Sequence, residues 1–169
     1  MRQVEGALAE LACWGPLRIS SLYRTEPLGD PDQPWFVNAV AELETEESPA
    51  RLLARLKDLE RRAGRPRESL RWAPRVLDLD LLLLGDGVVT SPELELPHPA
   101  LSTRRFVLEP LAELAPEVRD PRSGRSAQQL LRALDDRLRV EKLERGKIEG
   151  QVSIPVPSWA ARPPEVRKS

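Results

Sequence analysis

Two aspartates separated by a single residue close the segment Arg71-Trp-Ala-Pro-Arg-Val-Leu-Asp-Leu-Asp80. Residues two apart in a strand project from the same face, so the Asp78 and Asp80 carboxylates are expected side by side. Like charges at that spacing repel, and a cation between them would remove the repulsion. Mg²⁺ suits such a pair, because it takes one or two protein carboxylates and completes its shell with water and phosphate oxygens. A half-exposed strand with polar outward residues is the structural alternative.

The segment that leads up to this pair is strongly basic. Residues 51–75 hold nine Lys or Arg against three Asp or Glu, although the whole chain has a net charge of −1. Arginine binds phosphate through paired hydrogen bonds and stays charged, so this excess beside a metal-binding pair favours phosphoryl or pyrophosphoryl transfer. The solvated face of a charged helix would have the same composition. The absence of a Gly-x-x-x-x-Gly-Lys-[Ser/Thr] loop and of a His-Arg-Asp motif excludes P-loop enzymes and protein kinases.

Few aromatic residues are present, and three of them could bind a flat heterocycle. Trp72 lies in the basic segment, and Phe36 and Phe106 are the only phenylalanines. Each ring taken singly is more typical of a core, but Phe36 shares its predicted strand face with Asn38, which is unusual for a purely structural face. His98, the only histidine, stands between two prolines and could contact phosphate.

Hydrophobic periodicity and turn residues indicate the elements that would position these groups. The pattern predicts helices over 3–11, 49–63, 107–114 and from 127 onward. It predicts strands over 17–25, 35–44 and 76–84, the last followed by a turn and a short extension at 88–89. The segments 26–34 and 91–105 are too rich in proline for regular structure. This order is typical of an α+β fold with helices on one face of a mainly antiparallel sheet. A strand ahead of the first helix would complete a ferredoxin-like unit, and this sequence does not contain one.

Composition predicts one cytoplasmic domain. A chain of 169 residues with 40% hydrophobic content can bury a single core, which we assign to residues 1–149, with the proline-containing stretch 150–169 as a disordered tail. No apolar run is long enough to span a bilayer, and no signal peptide is evident. The net charge argues against a nucleic-acid or membrane partner, and a lone Cys13 excludes an internal disulfide.

Five blocks between about Leu17 and Glu117 together resemble the 6-hydroxymethyl-7,8-dihydropterin pyrophosphokinases of folate biosynthesis. The blocks are Tyr23-Arg-Thr-Glu-Pro-Leu-Gly29, Asp32-Gln-Pro-Trp-Phe-Val-Asn-Ala39, Arg71 to Asp80, Pro97-His-Pro99 and Arg104-Arg-Phe106. The resemblance implies transfer of pyrophosphate from ATP to the hydroxymethyl group of a reduced pterin, giving AMP and the pterin diphosphate. It further implies two Mg²⁺ ions bridged by Asp78 and Asp80. We expect the protein to be a monomer.

The resemblance also implies roles for individual residues. The expected pterin pocket comprises Thr25, Glu26, Leu28, Phe36, Asn38, Trp72 and Phe106. The expected ATP side comprises Lys57, Glu60, Arg65, Arg67, Trp72, Arg75, Leu81, His98 and Arg104. Arg65 and Arg75 are expected to act on the transferring group alongside the two aspartates.

The sequence departs from the family pattern in two places. Ala73 stands where the family usually has glycine, and the family's first strand with its Gly-Ser-Asn loop is missing ahead of the first helix. The expected fold is therefore a ferredoxin-like sheet that lacks its first strand, with additional C-terminal elements. Two other functions stay open: a binding-only relic that holds pterin or nucleotide without turnover, and a metal-dependent transferase with another acceptor.

Overall fold

The structure, a computed structural model, describes residues 2–27, 33–64 and 77–143. The helices in these ranges are α1 (Arg2–Ala12), α2 (Pro49–Arg62), α3 (Arg105–Leu114) and α4 (Ala127–Ala133). The strands are β1 (Leu17–Ile19), β2 (Tyr23–Thr25), β3 (Phe36–Asn38), β4 (Ala41–Leu43), β5 (Val89–Thr90), β6 (Glu95–Leu96) and β7 (Val140–Lys142). No helix in the described part is long and apolar enough to cross a membrane.

The two long strands predicted over 17–25 and 35–44 form a bent antiparallel ribbon that is interrupted in its middle. β1 pairs with β4, with Ile19 opposite Ala41, and β2 pairs with β3, with Tyr23 opposite Asn38. Between these two pairs the chain advances four residues from Ile19 to Tyr23 but only three from Asn38 to Ala41. One extra residue on one strand is what defines a β-bulge. Ser20 fills the interruption, because its hydroxyl accepts a hydrogen bond from the Val40 N–H at 3.0 Å. The strand prediction is confirmed, with a break that hydrophobic alternation does not reveal.

Helices pack on both sides of this ribbon. Leucines of α1 and α2 form one cluster with Leu17 and Leu77, and Ala41 and Leu43 pack against it. Leucines of α3 and α4 form a second cluster that includes Val40. Neighbouring residues of an extended chain point to opposite faces, so Val40 and Ala41 place the two clusters on opposite sides. The prediction of helices on one face describes α1 and α2, whereas α3 and α4 lie on the other.

Helix ends follow the capping residues in the sequence. Ser48 caps α2 by accepting a hydrogen bond from the Arg51 N–H, with Pro49 in the first turn, and Gly64 follows the helix with φ +101°. Ser126 and Gln129 form a reciprocal capping box at the start of α4. Such caps satisfy N–H groups that have no partner within the helix, which explains why these boundaries are predictable from sequence.

The strand predicted over 76–84 is wrong for the part that the structure describes. Leu77–Leu84 has no ladder partner in the described ranges, because neither sheet of the ribbon extends to it. Burial nevertheless alternates as in a strand: Leu77 is buried, Asp78 and Asp80 are exposed, and Leu79 is intermediate. β5 overlaps the short extension predicted at 88–89. Two strands were missed, β6 inside the segment predicted to be irregular and β7 near the end of the described chain.

Candidate active site

Asp78 and Asp80 keep the alternation of exposure that the sequence predicts, although their segment is not a strand. Both residues are exposed, while Leu77 and Leu79 on either side of Asp78 turn into the core formed by α1 and α2. Asp80 accepts no hydrogen bond from any residue in the described ranges, although Asp78 has other contacts. These hard carboxylate oxygens fit Mg²⁺, which needs only one or two such ligands. Mg²⁺ held by these two carboxylates would keep its other positions for water and phosphate oxygens. No group of three or more metal-ligating side chains occurs among the described residues.

Two hydrogen bonds hold the segment that carries the aspartates. The buried Glu60 carboxylate of α2 accepts the Leu79 N–H at 2.8 Å, directly between the two aspartates. Further along, the Leu82 carbonyl accepts the His98 N–H at 2.9 Å. Residues predicted on the ATP side therefore lie together: Glu60 and His98 bind the same short stretch of backbone that presents Asp78 and Asp80.

The hydrogen bonding of His98 defines which ring nitrogen can donate. Its Nδ1 accepts the Ala100 N–H at 3.0 Å, so the proton of the neutral ring is on Nε2. Nε2 has no hydrogen-bond partner in the part of the chain that the structure describes. An N–H in this position can donate to an anionic oxygen, and the phosphate contact of His98 stays a prediction.

The strand pair β2–β3 carries the predicted heterocycle-binding residues. Thr25 lies opposite Phe36, and the buried Thr25 Oγ1 accepts a hydrogen bond from Asn38 Nδ2 at 2.9 Å. Phe36 is 51% exposed and so lies outside the core, although a core position is more typical of an aromatic ring taken singly. An exposed ring two residues from a fixed amide can stack on a flat ligand while the amide binds its polar edge.

Glu26, the next predicted pocket residue, is held by Arg139, which directly precedes β7, a strand that the sequence pattern did not predict. Its Oε1 accepts the Arg139 N–H at 2.8 Å, and its own N–H donates to the Arg139 carbonyl at 3.2 Å. These bonds continue the ladder between β2 and β7 by one step. β7 thereby supports the pocket strand from the side opposite β3.

Phe106 lies in the first turn of α3, which packs against β2, β3 and β7. The Arg104 guanidinium lies 5.6 Å from the centre of the Phe106 ring, within the range of a cation–π contact. Asp136 anchors this end of the helix, because its carboxylate accepts the Arg105 N–H at 3.0 Å and its carbonyl accepts Arg105 Nε at 2.8 Å. α3, with Phe106 in its first turn and Arg104 directly before it, thus packs against the strands that carry Thr25, Phe36 and Asn38.

The opposite end of α3 is held by Glu113, which sequence reasoning missed. Its carboxylate accepts hydrogen bonds from Tyr23 Oη at 2.6 Å, Ser21 Oγ at 2.8 Å and Lys142 Nζ at 3.0 Å. Burial opposes ionisation, but these bonds outweigh it and lower the pKa of Glu113 to about 2. Burial and the bond to Glu113 raise the pKa of Tyr23 well above its usual value. Both groups therefore keep one protonation state near neutral pH.

The remaining predicted site residues are not part of the contacts described above. Lys57 is exposed on α2, and Leu81 is partly buried against the core of α1 and α2. Five predicted site residues lie outside the described ranges: Leu28, Arg65, Arg67, Trp72 and Arg75. The predicted tail, 150–169, lies outside them as well.

A metal-dependent phosphoryl-transfer enzyme with a flat substrate could use three groups found here: an exposed carboxylate pair, a histidine with an available N–H, and an exposed ring beside a fixed amide. Residues 1–116 match the family 7,8-dihydro-6-hydroxymethylpterin-pyrophosphokinase (HPPK). The chain belongs to this family, whose members are ATP-dependent diphosphotransferases.

Individual relatives agree with this assignment. A Pseudomonas aeruginosa 2-amino-4-hydroxy-6-hydroxymethyldihydropteridine pyrophosphokinase is 50% identical over 115 residues, which are 68% of this chain and 70% of that protein. A protein of the same name from Synechocystis is 43% identical over 135 residues, 78% of this chain and 68% of the relative. The Folic acid synthesis protein fol1 of Schizosaccharomyces pombe is 41% identical over 115 residues, 68% of this chain and only 16% of its own length.

Proposed function

We propose that this chain transfers pyrophosphate from ATP to 6-hydroxymethyl-7,8-dihydropterin, giving AMP and the pterin diphosphate, with the two substrates bound on two groups of residues. The ATP group is Asp78, Asp80 and His98, and the pterin group is Thr25, Phe36, Asn38 and Phe106. The observation that carries the proposal is the shared backbone stretch: Glu60 and His98 both bind the segment that exposes the aspartates. The family assignment supplies the substrates.

Asp78 and Asp80 are the residues that would hold Mg²⁺, and we propose two ions as the family resemblance implies. The ions would neutralise phosphate charge and orient the transferring group when bound. The chain itself does the rest of the positioning. Glu60 fixes the backbone between the two carboxylates, His98 offers Nε2–H to a phosphate oxygen, and Asn38 presents its amide beside the exposed Phe36 ring.

Binding of the pterin is tested most directly at Phe36. Replacing it by alanine (Phe36→Ala) should weaken pterin binding by about 5- to 150-fold, because stacking of a base on an aromatic ring contributes roughly 1–3 kcal/mol. Thermal stability should hardly change, because half of the side chain is already in solvent. The measurement is pterin affinity from fluorescence titration, together with AMP formation from ATP.

Val88→Ala is the matched control, since Val88 is the other large exposed hydrophobic residue among those described, at 55% exposure. Its pterin affinity should equal that of the unaltered chain. Pterin-dependent AMP formation separates the proposed enzyme from a binding-only relic, which would bind both ligands and release no AMP. Equal activity with unrelated acceptors would instead favour a transferase of broader specificity.

We also propose that the sheet has the ferredoxin-like arrangement, with a place for one further strand beside Leu77–Leu84. Within the described ranges, the N–H groups of Leu81, Leu82 and Leu83 donate no hydrogen bonds, and β4 pairs only with β1. Unpaired backbone groups in a partly buried apolar stretch are costly, so a strand partner would stabilise this region.

Amide hydrogen exchange tests this arrangement. The amides of Leu81–Leu83 should exchange fast in the chain as given and become protected, by about 10-fold or more, when a strand-forming apolar segment and a short linker are fused ahead of α1. A fusion with the same residues in scrambled, proline-containing order is the control. Unchanged exchange in the first fusion would contradict the proposed strand position. A monomeric state and a cytoplasmic location stay predictions from the sequence.

A further inference from the structure

The contacts of Glu113 join three elements that the pterin pocket needs. Tyr23 Oη and Ser21 Oγ come from β2 and the residues just before it, Lys142 Nζ comes from β7, and Glu113 itself lies in the last turn of α3. Charge-assisted hydrogen bonds of 2.6–3.0 Å are the strong kind, and this carboxylate receives three of them from side chains. The network is far larger than a surface ion pair of one acid and one base.

Each of these elements carries a residue of the proposed pocket or supports one. Tyr23 lies opposite Asn38 in the ladder and two residues before Thr25, whose Oγ1 binds the Asn38 amide. Phe106 lies two helical turns before Glu113 on α3. Arg139, whose backbone holds Glu26, directly precedes β7. Glu113 therefore connects the helix that carries Phe106 to the strand that carries Thr25.

The geometry points to Glu113 as a positioning residue for the pterin pocket, which sets the distance between Phe106 on α3 and the Thr25–Asn38 pair on the sheet. This inference rests on the proposed function. Asp136 anchors the first turn of α3 through Arg105, and Arg18 Nη2 donates to the Leu114 carbonyl at 2.9 Å. Loss of Glu113 would therefore leave the helix attached, but it would remove the side-chain bonds to β2 and β7 and permit a small tilt. A tilt changes the spacing of the two walls of a stacking site, and small misplacements have large effects on a positioned ligand.

The ATP group has no comparable dependence on this network. Asp78, Asp80 and His98 are held through Glu60 of α2 and through the Leu82 carbonyl, neither of which contacts Glu113. Because the pKa of Glu113 is about 2, its carboxylate is ionised at any pH used for an assay, and the network does not act as a pH switch. The inference therefore predicts an effect on one substrate only.

The test compares affinities for the two substrates in Glu113 variants. Glu113→Ala should weaken binding of 6-hydroxymethyl-7,8-dihydropterin by about 10-fold and change affinity for a non-hydrolysable ATP analogue by less than about 2-fold. Glu113→Gln keeps an accepting oxygen and should return pterin affinity to within about 3-fold of the unaltered chain. Tyr23→Phe, which removes one donor, should give a loss smaller than that of the alanine variant.

Glu117→Ala is the matched control, because Glu117 is an exposed acid just after α3 with no hydrogen bond to any described side chain or backbone group. It should leave both affinities unchanged. Equal weakening of both ligands in Glu113→Ala, or a lower melting temperature with unchanged affinities, would show a merely structural role and overturn the inference. Failure of the proposed function looks different: the unaltered chain itself would then show no affinity for the pterin.

Discussion

Replacing Asp80 by asparagine should lower kcat by about 10³-fold, since metal-held phosphate charge contributes several kcal/mol to the transition state and each 1.4 kcal/mol is about tenfold in rate. Asparagine keeps the shape of the side chain but removes the charge that a hard cation needs. Asp80 is the cleaner of the two sites, because it accepts no hydrogen bond from a described residue, whereas Asp78 has further contacts. Asp78→Asn should lower kcat in the same direction.

The fold should survive this change. Asp80 is exposed, so the altered side chain empties no cavity, and the removal of one of two neighbouring carboxylates relieves repulsion. The free energy of unfolding should therefore stay within about 0.5 kcal/mol of the original value. Steady-state AMP release measures kcat, thermal unfolding measures stability, and electron paramagnetic resonance of added Mn²⁺ measures metal binding directly.

Asp86→Asn is the matched control for charge and residue type. Asp86 is an exposed aspartate in the turn that follows Leu84, six residues beyond Asp80. It should retain full activity and full Mn²⁺ binding. Undiminished turnover in Asp80→Asn would refute the metal assignment, and lost turnover with undiminished Mn²⁺ binding would move Asp80 from metal holding to another role.

Sequence reasoning succeeded where local physics decides the structure. The Ser48 and Ser126 caps, the glycine after α2 and the period of the helices are consequences of backbone hydrogen bonding and of one apolar face. The alternation that places Asp78 and Asp80 on one side is equally local, and the structure retains it without a strand ladder. These features depend on a few consecutive residues, which is why their positions could be predicted.

Features that depend on distant partners were missed for the opposite reason. Leu77–Leu84 has the composition of a strand, but strand formation needs a neighbour to bind its N–H and C=O groups, and periodicity contains no information about that neighbour. β7 is three residues long, Val140-Glu-Lys142, and no strand pattern is visible in so short a segment. The Glu113 network joins residues about 90 positions apart, so only the folded chain reveals it.

Within the proposed site, the sequence predicted which residues belong to the site better than it predicted what their side chains do. Glu60 was predicted on the ATP side, and the structure shows its carboxylate bound to the Leu79 N–H. Glu26 was predicted in the pterin pocket, and its carboxylate binds the Arg139 backbone. A family pattern preserves a residue whether it touches the substrate or holds a neighbour that does, so the pattern alone cannot separate the two duties.

Glu60→Ala should separate them for the ATP side, and we expect the result of a positioning residue. Its side chain is 97% buried and accepts the N–H that lies between the two aspartates, so alanine leaves a buried donor without its acceptor and a void beside it. The free energy of unfolding should fall by about 3 kcal/mol, the sum of an unsatisfied group and lost packing. Mn²⁺ affinity and kcat should fall together, because both depend on where the carboxylates lie.

Two variants make this expectation specific. Glu60→Gln retains an amide oxygen that can accept the Leu79 N–H, so it should recover most of the stability and most of the Mn²⁺ affinity. Asp58→Ala, two residues earlier on the exposed side of α2, removes only surface ion pairs with Arg61 and Arg62 and should change stability by less than about 0.5 kcal/mol. If Glu60 contacted ATP directly, Glu60→Ala would instead weaken nucleotide binding while stability and Mn²⁺ affinity stayed unchanged. The buried bond to Leu79 predicts the reverse order of effects, since it connects the Glu60 carboxylate to the backbone that presents the two aspartates.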